Sequence, residues 1–272
     1  MDIQLGCREG NPGSITVLVG RHGFGQEMNS RMKTVVMLLA YQAEKTLAKT
    51  VQAIPESLRK NILVGDDASR DRTSQVAKEL GLEVFRHEKN LNYGGNLRFL
   101  MKQALSAGAD VAVELHADYQ YEPSIIDLLA GFVERGWYDL IQGNRIRTRQ
   151  EALSGGMPSY RYFGNRVLTF GQNLWFGTCF GEWHSGLRAY SRRLLVQAPL
   201  EEFHSSHAFA SDMMSFAVAR GFRVAEVPCP VRYESESSSV APGNLFRYAW
   251  HTMRAALRYP PWRRARSFSK RA

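Results

Sequence analysis

Three side chains in the stretch 109–123, His116, Asp118 and Gln120, alternate along the chain just after Val111, Val113 and Leu115. An imidazole nitrogen, a carboxylate and an amide oxygen aimed at one point can hold a divalent cation, and that cation can neutralise a diphosphate. The apolar, β-branched run predicts a short buried strand. Pro123 forbids a helix through its approach, so the trio falls at the strand's carboxyl end. Ligands bind at that end in open α/β sheets. The competing reading is a polar strand end leading into a turn.

Four other places carry candidate chemistry. Asp66-Asp67-Ala68-Ser69-Arg70-Asp71-Arg72-Thr73 follows a predicted strand at 61–65. Asp71 or Ser69 can cap a helix over 73–80, which leaves a carboxylate at the strand end unexplained. Asn90, Gly94, Gly95 and Asn96 read as a small-residue loop before a helix over 97–107, a place where backbone amides can face an anion. In 182–190, Ser185-Gly186 lets backbone approach a ligand closely, His184 can complete a cation's shell, and Arg188 can grip an oxyanion bidentately. The alternative there is a helix start capped by Ser185. Arg145 ends a predicted strand over 139–145, but Arg147 and Arg149 follow at once, as in a solvated run.

The elements that must position these residues are legible from periodicity. Residues 35–41 form a continuous apolar run of strand length, as expected of a parallel strand covered on both faces. A helix over 44–54 carries Leu47, Val51 and Ile54 and stops at Pro55. A third strand spans 83–86. Strand, helix, strand, helix, strand, loop, helix, strand argues for a mostly parallel α/β sheet flanked by helices. Right-handed crossovers then put the ends carrying Tyr41, Asp66/Asp67 and Asp118 along one edge. Residues 161–176 have helical spacing at Phe163, Val167, Phe170 and Leu174, read as packing on the sheet or forming an acceptor wall. Asp212 opens a helix over 213–220, and a strand over 224–227 ends at Pro228 and Pro230. A Ser-rich loop, 234–243, precedes a basic amphipathic helix, 244–258, bearing Leu245, Trp250, Met253 and Leu257.

Composition sets outer bounds. At 272 residues, 44% hydrophobic and 22% charged, the chain holds one catalytic-size domain. Cys7, Cys179 and Cys229 are scattered and odd in number, which indicates neither a disulfide framework nor a zinc knuckle and suits a reducing cytosol. No apolar run approaches the roughly 18–20 residues of a spanning helix. Of the net +9, eight charges are supplied by arginines and lysine after Glu236, beyond which no acidic residue occurs. The excess therefore sits in the tail and does not indicate a nucleic-acid partner. Residues 1–31 are glycine-rich; Gly20, Gly23 and Gly25 do not make the dinucleotide fingerprint, and no helical pattern follows them. The expected organisation is a loosely ordered extension over 1–31, a domain over 32–240, and a basic helix and tail over 241–272.

The order Ala40-Tyr41 with Glu44, Asp66-Asp67 and its turn, Asn90 with Gly94-Gly95-Asn96, and His116-Ala-Asp118-Tyr-Gln120-Tyr-Glu-Pro123 resembles the amino-terminal half of family 2 glycosyltransferases of the GT-A fold. Gly143-Asn144-Arg145, Gly155-Gly156-Met157-Pro158 and Glu182-Trp183-His184-Ser185-Gly186-Leu187-Arg188-Ala189-Tyr190 resemble the group of dolichyl-phosphate mannosyltransferases and polyprenyl-phosphate sugar transferases. The match covers roughly residues 33–240 and rests on several weak motifs in the right order.

The resemblance implies a GT-A domain that takes a UDP- or GDP-sugar as donor. Ala40, Tyr41, Glu44, Asp66, Asp67, Asn90, Gly95 and Asp118 match its nucleotide-binding positions, with the Asp66/Asp67 pair receiving the base. His116-Ala-Asp118 stands where the family has DxD, so Asp118 is the implied metal ligand, with Gln120 beside it. His116 replaces the first aspartate: it is a softer, uncharged ligand that favours Mn²⁺ over Mg²⁺, or it stands behind the metal. Arg145 and Arg188 fall near the diphosphate, and His184 and Ser185 on the acceptor side. Asp212 matches an acidic residue facing the acceptor, a general base for a hydroxyl; a phosphate acceptor is already ionised and needs none. With no nucleophile for double displacement, inversion is expected. The basic region 244–272 suggests docking on an anionic membrane surface at the inner, cytoplasmic face. A sugar nucleotidyltransferase would want a glycine-rich, lysine-containing loop where Gln42-Ala43-Glu44 stands, and a catalytically silent sugar-nucleotide binder remains compatible with His116.

Overall fold

The computed structural model describes residues 32–232 and 245–261. The extension expected over 1–31, the Ser-rich loop 234–243 and the tail from 262 onward lie outside the described residues.

Seven strands, β1 (Thr34–Ala40), β2 (Ile62–Asp66), β3 (Glu83–Arg86), β4 (Val111–His116), β5 (Leu140–Asn144), β6 (Arg188–Ser191) and β7 (Val224–Pro228), form one sheet in the order β3-β2-β1-β4-β6-β5-β7. All pairings are parallel except those of β6, which runs against both β4 and β5. The ends of β1, β2, β4 and β5 therefore share one edge. Because β6 is reversed, with Arg188 opposite Glu114, it is the segment leading into β6 that reaches this edge.

The buried run in β1 serves two layers, as the alternation of a strand requires. Val35, Met37 and Leu39 pack with α4 (Asn92–Ser106), α8 (Arg192–Gln197) and α9 (Phe209–Ala219); Val36, Leu38 and Ala40 pack with α1 (Leu47–Ala53), α2 (Glu56–Arg59), α3 (Thr73–Glu79) and α5 (Ile126–Glu134). After β5 come α6 (Arg149–Ser154) and α7 (Ser159–Phe176), and α10 (Leu245–Arg258) packs on α7 and α9.

Two expectations about elements are corrected. Gly94, Gly95 and Asn96 are not a loop, because α4 starts at Asn92. Gly94 admits the backbone carbonyl of Ser206, which would stand 2.8 Å from a Cβ at that position, and the amides of Gly94 and Gly95 donate to the Ser205 carbonyl at 2.7 and 3.1 Å. The glycines answer a tertiary contact, and those amides are not offered to an anion. The second correction concerns α7: Phe163, Val167, Phe170 and Leu174 do not pack on the sheet but are exposed, while Thr169, Gln172 and Phe176 face inward.

Candidate active site

At the carboxyl edge of the sheet lie two cavities, one of about 190 Å³ and one of about 460 Å³. Both are lined by Tyr93, His116 and His207. Tyr93 stacks between the two histidines, with ring centroids 5.5 Å from His116 and 5.3 Å from His207. This ladder of rings is the partition between the cavities. No motif in the sequence marks Tyr93 or His207; the proximity of Tyr93 to the glycine pair is the one signal available for it.

The smaller cavity is lined by Ala40, Tyr41, Asp67, Asn90 and Asp118 among others, so carboxylates from the ends of β2 and β4 meet in one cleft. The Asp-rich turn divides its labour. Asp66 is fully buried and accepts from the Ser69 amide at 3.0 Å and from the Ser74 hydroxyl, so it shapes the turn and does not receive a base. Asp71 accepts from the Thr73 amide at 3.1 Å and the Glu44 amide at 3.1 Å. The amides of Gln42 and Ala43 donate to Ser69 Oγ and Thr73 Oγ1, so the β2 exit holds the β1 exit in place. Glu44 accepts from the Arg72 amide at 2.9 Å, which corrects its assignment to the nucleotide. Asp67 alone of the turn faces the cleft, with one oxygen accepting from the Leu91 amide at 2.6 Å; burial raises its pKa above the usual carboxylate range. Gly95 lies in α4 outside the cavity lining.

Strain gathers at this edge. Gln42, Ala68, Asn92 and Tyr119 all have left-handed backbones, with φ of 50°, 60°, 61° and 57°. Non-glycine residues held this way cost about 1–2 kcal/mol each and cluster where a site demands them. At Tyr119 the effect is direct: the left-handed turn breaks the alternation of the strand, so Asp118 faces the smaller cavity and Gln120 the larger. The trio His116, Asp118 and Gln120 is thereby dispersed. His116 Nε2 lies 3.7 Å from Glu114 Oε1, too far for a hydrogen bond, and is pressed against Gly186, where a Cβ would stand 2.7 Å away.

Among the described residues, no group of three His, Cys, Asp or Glu could hold a cation unaided. The Asp118 carboxylate at the end of β4, facing the same cleft as Asp67, fits a divalent cation whose remaining ligands are diphosphate oxygens and water.

The larger cavity is bounded by Tyr121, Arg145, Arg161, His184, Ser185 and Tyr248, together with apolar surface from α7 and α10. Among the described residues, no aspartate or glutamate lines it. Arg145 is held by buried Glu182, which accepts from its Nε at 2.8 Å and its backbone amide at 3.0 Å, and Arg145 Nη2 donates to the His184 carbonyl at 3.1 Å. Burial pushes the Glu182 pKa up, but the Arg145 charge and hydrogen bonds outweigh it and hold the group below the usual range. Ser185 accepts from the Leu187 amide at 3.4 Å in a turn before β6, not at a helix start.

Two assigned roles are corrected by burial. Arg188 is fully buried and donates to the carbonyls of Trp183 at 3.0 Å and Ala210 at 3.2 Å; it lines neither cavity and cannot grip an oxyanion there. Asp212 lies in the first turn of α9, which starts at Phe209, and accepts from the His204 amide at 2.8 Å. Burial raises its pKa, yet it too lines neither cavity, so it is out of place for a general base.

His184 is half-buried; desolvation of its ring, with the nearby Arg145 and Arg188 charges, drives its pKa down to about 3, while Glu182 opposes the shift. Its Nδ1 lies 2.8 Å from the Tyr248 hydroxyl. The unfolded chain protonates this ring near pH 6.5 and the folded chain only near 3, so stability from the neutral ring is complete above pH 6.5 and is lost as pH falls towards 3. His184→Gln is expected to flatten the acid limb of melting temperature against pH between about 6.5 and 4; parallel curves for the variant and the parent chain would refute this role.

The profile described as Glycosyl transferase family 2 matches residues 35–196. An uncharacterized protein of Methanocaldococcus jannaschii is 30% identical over 204 residues, covering 75% of this chain and 83% of its own. The UDP-N-acetylglucosamine–dolichyl-phosphate N-acetylglucosaminyltransferase of Methanococcus voltae is 27% identical over 219 residues, 74% of this chain and 86% of its own. The crystal structure of glucosyl-3-phosphoglycerate synthase from Mycobacterium tuberculosis with UDP superposes with a TM-score of 0.65 at 20% identity, covering 84% of this chain and 80% of that one. The same enzyme is known with Mn²⁺, UDP-glucose and phosphoglyceric acid. The likeness of these structures establishes the GT-A architecture expected from the sequence.

Proposed function

This chain belongs to glycosyl transferase family 2, and from that premise we propose that it moves a sugar from a nucleoside diphosphate sugar to a lipid-linked phosphate, with inversion at the anomeric carbon. The observation that carries the reading is the pairing of a carboxylate-bearing cleft with a larger, mainly apolar cavity lined by arginines and, among the described residues, by no carboxylate. A hydroxyl acceptor would need a base, and with Asp212 tied away no carboxylate among the described residues lines the larger cavity; a phosphate needs none. Names among the relatives agree, since the Methanococcus voltae enzyme is named for a dolichyl-phosphate acceptor.

In this reading Asp67 accepts from the nucleotide base beside Tyr41 and Asn90. A divalent cation, Mn²⁺ or Mg²⁺, held by Asp118 would supply positive charge to the departing diphosphate. Arg145, fixed by Glu182, and Arg161 offer their guanidinium groups to the acceptor phosphate in the larger cavity. The His116–Tyr93–His207 ladder stands where the two substrates meet and keeps water from the reacting carbon. The basic region 244–272 brings the chain to the anionic surface where a lipid-linked acceptor is found.

A thermal-shift series with UDP-, GDP- and dTDP-sugars, with and without Mn²⁺, is expected to give one donor that raises the melting temperature. With that donor, sugar should appear on a polyprenyl phosphate and not on the corresponding polyprenol. Transfer to the free alcohol in preference to the phosphate would refute the acceptor assignment.

A further inference from the structure

Two helices carry their apolar residues on the wrong side for a protein surrounded by water. α7 turns Thr169 and Gln172 inward and leaves Phe163, Val167, Phe170 and Leu174 outside, the last three at least 70% exposed. α10 buries Thr252, Ala255 and Ala256 and exposes Phe246, Trp250, Met253 and Leu257, with Phe246 at 92%. Single exposed apolar residues are ordinary, but two stripes at helical spacing are an interaction surface.

The stripes adjoin one another and the site. Trp175 Nε1 of α7 donates to the Ala256 carbonyl of α10 at 3.1 Å. Val167 and Phe246, both largely exposed, also line the larger cavity, so its mouth opens between the two stripes. The charges beside them have one sign: α7 has Arg161 and Arg166, α10 has Arg247, Arg254 and Arg258, and neither helix contains an acidic residue. Arg258 is met by Glu202 at 3.1 Å. A second copy of this surface would set arginines against arginines, whereas an anionic bilayer complements both the apolar stripes and the charge.

We propose that α7 and α10 together form one docking face for an anionic lipid bilayer, placed so that the mouth of the larger cavity meets the membrane. The inference rests on, and extends, the assignment of that cavity to a lipid-linked phosphate: the phosphate enters towards Arg145 while its hydrocarbon chain stays among lipids. It assigns to α7 a share of the docking that the basic region 244–272 would otherwise carry alone.

Co-sedimentation of the full chain with vesicles of phosphatidylcholine containing about one-third phosphatidylglycerol tests the proposal. The parent chain should pellet with these vesicles. The triple variant Phe163→Asp, Phe170→Asp, Leu174→Asp should partition about a hundredfold less, and Trp250→Asp, Met253→Asp, Leu257→Asp likewise. All six positions are exposed and line neither cavity, so melting temperature and transfer to a short, water-soluble phosphate acceptor should be unchanged. Undiminished pelleting of the α7 variant would overturn the proposal, as would a parent chain that stays in the supernatant and runs as a dimer which the α7 changes dissolve. Vesicle binding as expected, with no transfer to any lipid phosphate, would support the docking face and refute the acceptor assignment.

Discussion

Asp118→Ala is expected to lower sugar transfer by about a thousandfold or more, because in the proposed mechanism it removes the carboxylate that would hold a cation against the leaving diphosphate. The side chain also accepts from the Gln120 amide at 3.1 Å, and the alanine variant loses that turn contact as well. Asp118→Asn separates the two effects, since an amide oxygen can still accept from Gln120 but brings no charge. The asparagine variant should keep the parent melting temperature and show the same loss in kcat. Its residual activity should no longer respond to Mn²⁺ at concentrations that saturate the parent. Near-parent rates in Asp118→Asn, or full activity in EDTA, would remove the cation from the mechanism.

Glu114→Ala is expected to be the most destabilising single change in the site's surroundings. Glu114 is fully buried and lies opposite Arg188 across the β4–β6 pair, while the hydroxyls of Tyr93 and Tyr190 both donate to its carboxylate. Removing it leaves the buried Arg188 charge without its counter-charge and the Tyr93 and Tyr190 hydroxyls without their acceptor, at a cost of about 3–5 kcal/mol. In a domain of this size that is a fall of about 10 °C in melting temperature. Glu114→Gln keeps the shape but not the charge and should lie between the two. Combining Glu114→Gln with Arg188→Met should recover stability relative to Glu114→Gln alone, because no unpaired charge is then left inside. A melting temperature within about 2 °C of the parent for Glu114→Ala, or no recovery in the double variant, would show that the network does not hold the sheet in this way.

The network also shows where sequence reasoning reached its limit. Runs such as Val35–Ala40 and Val111–Leu115 announce buried strands because their composition satisfies both faces of a parallel sheet without help. β6, Arg-Ala-Tyr-Ser, does not, since its burial depends on Glu114 from a strand more than seventy residues earlier. The residue types of Arg188 and Asp212 allow the chemistry expected of them, yet both are withdrawn from the site by packing that no local pattern reports. Asp66 and Asp67 look equivalent in the chain, yet one shapes a turn and the other faces the cleft. The spacing of Phe163, Val167, Phe170 and Leu174 identified a helix correctly; which way that face points depends on what surrounds the protein, and the sequence pattern is the same for a core and for a bilayer.

The reversal of β6 separates two kinds of inheritance along the chain. With the exception of His207, the smaller cavity is written entirely between Leu39 and Asp118, whereas the larger takes most of its wall from Arg145 onward. Under the proposed division of roles, a lineage could revise what it glycosylates by editing the lead-in to one backward strand and the helices beside it, leaving untouched the segment assigned to the activated sugar.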